Sequence, residues 1–167
     1  MEPNCYELRL ATRDDLEAIN AIFNHYVPDT TANYDYEPWT MEARQAWFEE
    51  RESIHPVTVV THEGRVVAWG ALSWFRKRAG YRSTVENSIY VHPDHQRRGL
   101  GRMILTDQIE RARSLGVHAI VAAIDTLQTA SLALHERMGF HEAGRFREVG
   151  YKLGGWRDVV FMMRVVE

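Results

Sequence analysis

The residues with the most chemical information are Gln96, Arg97, Arg98, Gly99, Leu100, Gly101 and Arg102, which follow a strand-like run, Ser88 to His92, broken at Pro93. A helix opened by glycine leaves its first amide N–H groups without backbone partners, and its dipole adds partial positive charge, so this spacing predicts an anion site suited to a diphosphate. Gly99 and Gly101, lacking a Cβ, are expected to let backbone and phosphate approach closely. The segment lacks the Gly-Lys-Ser/Thr ending of a nucleoside triphosphate loop and lies too late in the chain for an N-terminal dinucleotide fingerprint. Just upstream, Glu86 stands in Thr84-Val85-Glu86-Asn87-Ser88. An acid in a central strand faces solvent, is paired, here with Arg82, or is functional, because burying its charge is costly. His135, in a helical Leu-His-Glu sequence, carries an imidazole that titrates near neutrality and either packs or exchanges protons. Arg76, Lys77 and Arg78 form a cation run followed by Tyr81. Guanidinium groups bind carboxylates bidentately, although most such runs are solvated faces.

Gln96-x-x-Gly99-x-Gly101 after Val85 to Val91 resembles the acetyl-coenzyme A signature of the GNAT superfamily of N-acetyltransferases. Ser131 to Glu136 running on to Gly139-Phe140, and Gly150-Tyr151-Lys152 running on to Trp156-Arg157-Asp158, fall in that family's order. They are similar to its branch of phosphinothricin and methionine sulfoximine or sulfone acetyltransferases. The resemblance implies a mixed, mostly antiparallel sheet, flanked by helices and splayed at an acetyl-coenzyme A slot by a bulge in the strand that ends at Val91. It implies main-chain contacts to the cofactor from Ile89, Tyr90 and Val91, amide and charge contacts from Arg97 to Arg102, and side-chain contacts from Gln128 and Ser131. Gln128 replaces the asparagine usual there. Glu86 takes the position of the proposed base, and His135 that of a residue which protonates the leaving thiolate. Tyr34, Arg76, Lys77, Arg78, Tyr81 and Glu86 match the substrate side, with the arginines on an α-carboxylate. The acceptor is expected to be a small amino-acid-like molecule attacked directly in a ternary complex, and the assembly a homodimer. The alternatives are acetylation of another amine or a protein N-terminus, or an acetyl-coenzyme A-binding module without turnover.

Composition narrows the partners. The chain of 167 residues, 45% hydrophobic, has the length of one α/β (α+β) domain spanning 1–167. A net charge of −3, with the basic residues spread along the chain, gives no reason to expect a nucleic-acid partner. Cys5 is the only cysteine, which excludes an intramolecular disulfide. The scattered histidines lack metal-ligand spacing, so no metal is expected. No signal-peptide pattern or membrane-length apolar run is present, and a cytoplasmic enzyme is expected.

The elements that must position these groups follow from periodicity. Tyr6 to Leu10 alternates as a strand, and Thr12 is a candidate N-cap for a helix with Leu16, Ile19, Ile22, Phe23 and Tyr26 on one face, ending by Pro28. Asp29 to Trp39 reads as a loop. Thr40 opens a second helix with Ala43, Ala46, Trp47 and Phe48 expected inside. Glu63-Gly64-Arg65 joins two strands, 56–61 and 66–74, as a hairpin. A strand over 84–91 leads through the glycine segment into a helix over 98–115, stopped by Gly116. A buried strand over 117–124, a helix over 129–138 and two strands, 140–149 and 156–165, complete the chain. Trp39, Trp47 and Trp69 are expected as core aromatics.

Overall fold

The computed structural model describes residues 6–166, so Cys5 lies outside the described residues. Seven strands form one sheet: β1 (Tyr6–Leu10), β2 (Val57–His62), β3 (Arg65–Trp74), β4 (Thr84–Val91), β5 (Ala119–Asp125), β6 (His141–Lys152) and β7 (Gly155–Val165). The order across it is β1-β2-β3-β4-β5-β7-β6, antiparallel except for β4 beside β5. Four helices cover it: α1 (Leu16–His25), α2 (Met41–Glu49), α3 (Leu100–Ser114) and α4 (Thr129–Arg137). The β2–β3 turn has positive φ at Glu63 (51°) and Gly64 (74°), as the hairpin signal requires.

Strand alternation sorts the core into two layers. Leu72, Val85, Ile120, Ala122 and Ile124 pack with Leu105, Ile109 and Ala112 of α3 and with Leu132 and Leu134 of α4. On the other face Val59, Trp69 and Ala71 meet Leu16, Ile19, Ile22 and Phe23 of α1, with Trp47 and Phe48 of α2 packed against them. Glu86 and Asn87, adjacent on β4, therefore point to opposite faces.

The inward face of α2 differs from the expected one. Ala43 and Ala46 are exposed, while Arg44 is 1% exposed and sits among Phe23, Trp39, Trp47 and Trp69, at 4.7, 4.3, 4.7 and 5.6 Å from the ring centroids. Among the described residues no carboxylate pairs with it; its Nε donates to Asn20 Oδ1 at 3.1 Å. Burial pushes its pKa down to about 10, and the ring faces supply the compensating negative potential. The expected core tryptophans thus wall a buried cation.

Helix α3 lies close on β3 because Gly70 has no side chain. A Cβ there would overlap Ile104 Cγ2 and fall 2.7 Å from Gln108 Nε2 and 3.0 Å from the Ser88 carbonyl oxygen. Gly70→Ala is expected to lower unfolding free energy by about 1–3 kcal/mol through overpacking. A denaturant titration showing an unchanged midpoint would refute that close approach.

Candidate active site

The sheet opens between β4 and β5. Their parallel pairing runs only through Thr84–Ala119, Val85–Ile120 and Glu86–Val121, after which the strands diverge. β4 keeps an unbroken register with β3 from Trp74–Val85 to Ala68–Val91, so the expected bulge in β4 is not what opens the slot. Register breaks occur instead between Val60 and Thr61 on β2 and, on β6, between Glu142 and Gly144 and between Phe146 and Gly150. The last of these brings Val149, Gly150 and Tyr151 to the cavity.

A cavity of about 620 Å³ fills the gap, lined among others by Glu86, Asn87, Ile89, Tyr90, Ile124, Asp125, Gln128, Ser131 and His135. Ile89 and Tyr90 lie beyond the last β5 partner, so their outer backbone edge faces the gap and can take an extended ligand as an added strand. Tyr90 is anchored by stacking on Trp69, at 4.9 Å and 22°, and the Val91 carbonyl accepts from the Tyr26 hydroxyl.

The helix of the anion cradle begins two residues later than the sequence predicts. The helix starts at Leu100 with Gly99 as N-cap at φ 83°, and Arg97 is also left-handed at 59°. The first intrahelical bond is Met103 N to Gly99 O at 3.0 Å, leaving the amides of Leu100, Gly101 and Arg102 without helical acceptors. The space beside Gly99 is open, with nothing within 4 Å of a Cβ built there. Gly101 serves a different end from the one expected, because its missing Cβ faces Leu134 Cδ2 of α4 at 3.2 Å. Arg97, Arg98 and Arg102 are exposed around the cradle, and Leu100 is buried, so only its main chain can meet a ligand. An exposed Gly99 with free amides and three nearby guanidinium groups fits a diphosphate.

Glu86 closes the inner end of the slot, at the last β4–β5 pair. Burial raises its pKa, and the opposing charge comes from Arg76 rather than Arg82. A carboxylate so placed is a stronger base than an exposed one. His135 is 4% exposed, with Nε2 3.1 Å from Asn87 Nδ2, Nδ1 2.8 Å from the Ser131 carbonyl, and Phe140 edge-on to the ring. Burial pushes its pKa down, against the pull of the Ser131 carbonyl.

The substrate-side residues separate. Tyr34 lines the cavity, but its hydroxyl donates to Asp125 Oδ2 at 2.5 Å, and a Cβ on Gly150 would overlap its ring. Burial opposes the charge of Asp125, yet Arg157, Tyr34 and the Leu127 N–H hold its carboxyl below the usual range. Arg76 is exposed, with its guanidinium 5.3 Å from the Phe75 centroid. Lys77 and Arg78 border a separate hollow with Glu50, Glu52, Trp74 and Arg82, and Tyr81 packs edge-on to Phe75. Gln128 donates to Thr31 Oγ1 at 3.0 Å. Lys152 escaped the sequence reading: it is buried, and its ammonium donates to Asn33 O, Asn33 Oδ1 and Asp35 O at 2.8, 3.1 and 2.9 Å. These bonds and Tyr36 OH to Tyr151 O (2.7 Å) hold the 29–39 loop over the cavity.

A parallel pair that parts at a half-buried glutamate, beside a glycine-capped helix, defines an acetyltransferase of the GNAT class. The chain belongs to the Acetyltransferase (GNAT) family, whose model matches residues 19–140. It is 41% identical over 156 residues to the L-amino acid N-acyltransferase MnaT of Escherichia coli strain K12, covering 93% of this chain and 91% of that one. It is 36% identical to the phosphinothricin N-acetyltransferase of Streptomyces viridochromogenes, covering 96% and 88%. The structure of yncA from Salmonella typhimurium, solved with its cofactor acetyl-CoA, superposes with a TM-score of 0.94 at 38% identity, covering 98% and 95%. Among the described residues no histidine, cysteine and carboxylate group is arranged to hold a metal, and no helix is long and apolar enough to cross a membrane.

Proposed function

We propose that this protein acetylates the α-amino group of a small amino-acid-like acceptor, of the methionine sulfone, methionine sulfoximine or phosphinothricin type. The observation that carries the reading is Glu86 at the apex of the β4–β5 gap, in the wall of a cavity that the cradle at Gly99 to Arg102 can feed. Acetyl-CoA supplies the acetyl group as a thioester, held along the Ile89 to Val91 edge with its diphosphate at the cradle. In a ternary complex Glu86 accepts the proton of the attacking amine as the nitrogen–carbon bond forms and the carbon–sulfur bond breaks. That proton balances the departing thiolate, so the products are an amide and free coenzyme A. Arg76 takes the acceptor's carboxylate, a role supported by its charge acting on Glu86.

The enzyme acts in the cytoplasm as a single-domain homodimer. Supporting the pairing, the β6–β7 hairpin exposes Phe146, Val149, Tyr151, Leu153 and Trp156 at the sheet edge, an apolar surface on a strand that can still pair. The test is thiol release from acetyl-CoA with methionine sulfone, methionine sulfoximine, phosphinothricin, common amino acids, a polyamine and a peptide as acceptors. Turnover confined to free amino acids is expected. Transfer to polyamine or peptide alone would overturn the acceptor class, and cofactor binding without transfer to any of them would make the protein a binding module.

A further inference from the structure

A chain of buried amides runs from the main chain of β3 and β4 to His135, and its polarity is fixed at one end. Gln108, 2% exposed on α3, places Nε2 at 3.2 Å from the Ala71 carbonyl and 3.0 Å from the Ser88 carbonyl. Carbonyl oxygens only accept, so both hydrogens of that amide are committed and its Oε1 must face away. Oε1 meets Asn87 Nδ2 at 3.2 Å, which orients the Asn87 amide in turn. The same nitrogen lies 3.1 Å from His135 Nε2, so its second hydrogen points at that ring nitrogen, which must offer a lone pair. Nδ1 faces the Ser131 carbonyl at 2.8 Å and must carry the ring's proton. Turning Asn87 over would set its oxygen against Gln108 Oε1 and the Nε2 lone pair. Asn87, 8% exposed on the cavity wall, is left with Oδ1 as a buried acceptor without a partner.

We propose that Gln108 and Asn87 lock His135 as the neutral Nδ1–H tautomer with Nε2 closed, which makes His135 a positioning residue for Asn87 rather than the donor of the thiolate's proton. Asn87 Oδ1 then stands as a fixed, buried acceptor on a side chain of the slot wall. The groups that face the imidazole are Asn87 from β4, Ser131 from its own helix and Phe140 beyond that helix, none of them charged. The depression of the His135 pKa by burial agrees with a ring that stays neutral. The catalytic meaning of the lock rests on the acetyl-transfer reading, whereas its test reads the ring directly.

That test is ¹⁵N spectroscopy of the histidine side chains in the full chain, with His135→Gln used to identify the resonances of His135. The expected result is a pyrrole-type Nδ1 and a pyridine-type Nε2 that do not move between about pH 5.5 and 9, across the range where an ordinary histidine titrates. In Asn87→Asp, a carboxylate facing Nε2 has no hydrogen to give, and the ring should carry protons on both nitrogens at neutral pH. A wild-type ring protonated on Nε2, or one titrating near its ordinary pKa, would overturn the lock. So would a folded Asn87→Asp chain with an unaltered His135 spectrum. The wild-type measurement decides the matter even if that variant does not fold, and a failure to acetylate amino acids would leave it untouched.

Discussion

Glu86→Gln should lower turnover by roughly 10²–10⁴-fold while leaving the dissociation constant for acetyl-CoA close to that of the wild type, because the substitution keeps shape and removes only the base. The pH profile separates this from a packing effect. Burial raises the Glu86 pKa, so the wild-type rate should climb with pH through an ionisation above the ordinary glutamate value, where the carboxylate forms. The glutamine variant should lack that limb. Its deficit should shrink at high pH, where the amine arrives already deprotonated. A deficit constant across the whole range would assign Glu86 a structural part and leave the base unidentified. The same shift has a stability sign. A carboxyl whose pKa is raised on folding favours the protonated form, so ionising Glu86 costs the folded state stability as pH rises above the unfolded value.

Arg76→Met should raise KM for a free amino acid by about 10–100-fold and barely change that for its methyl ester, since a charge-assisted hydrogen bond contributes roughly 1.5–3 kcal/mol. Arg78→Met should do less, because Arg78 borders the separate hollow with Glu50 and Glu52, and the charge that acts on Glu86 is that of Arg76. Arg76 also holds down the pKa of Glu86, so its loss should move the acidic limb of the rate profile further upward. Steady-state kinetics with acid and ester over a pH series reads both effects. Equal use of acid and ester by the wild type would exclude recognition of the carboxylate.

Much of the scaffold was legible because its signals are local. Gly64, Gly99, Gly116 and Gly139 all have positive φ and mark a hairpin turn, a helix start and two helix ends, while the Thr40 side chain accepts from Ala43 N at the start of α2. The cradle was legible for the same reason, although Gly101 faces a neighbouring helix. What stayed hidden depends on residues far apart in sequence. Tyr34 and Asp125 are separated by 91 positions, and Lys152 and Asn33 by 119, so no periodicity announces either pair. Arg44 is absent from the expected inner face of α2 because that face is assigned from apolar residues alone. Its place three and four residues before Trp47 and Phe48 puts it on their face of the helix, and that was the available signal. The gap is also not legible as a bulge: β4 keeps its register with β3 throughout, and its parallel pairing with β5 simply stops after Glu86–Val121.

The bonds from Lys152 to the 29–39 loop also bear on when the site can form. The loop leaves the ribosome roughly a hundred residues before β6, yet its hold on the cavity comes from the Lys152 ammonium and from Asp125, to which Tyr34 binds and which Arg157 of β7 secures. Closing so long a separation is entropically costly and comes late in folding. The groups of the cradle, by contrast, lie within a few residues of one another. The last hairpin must dock before the early loop has these partners to hold it in place.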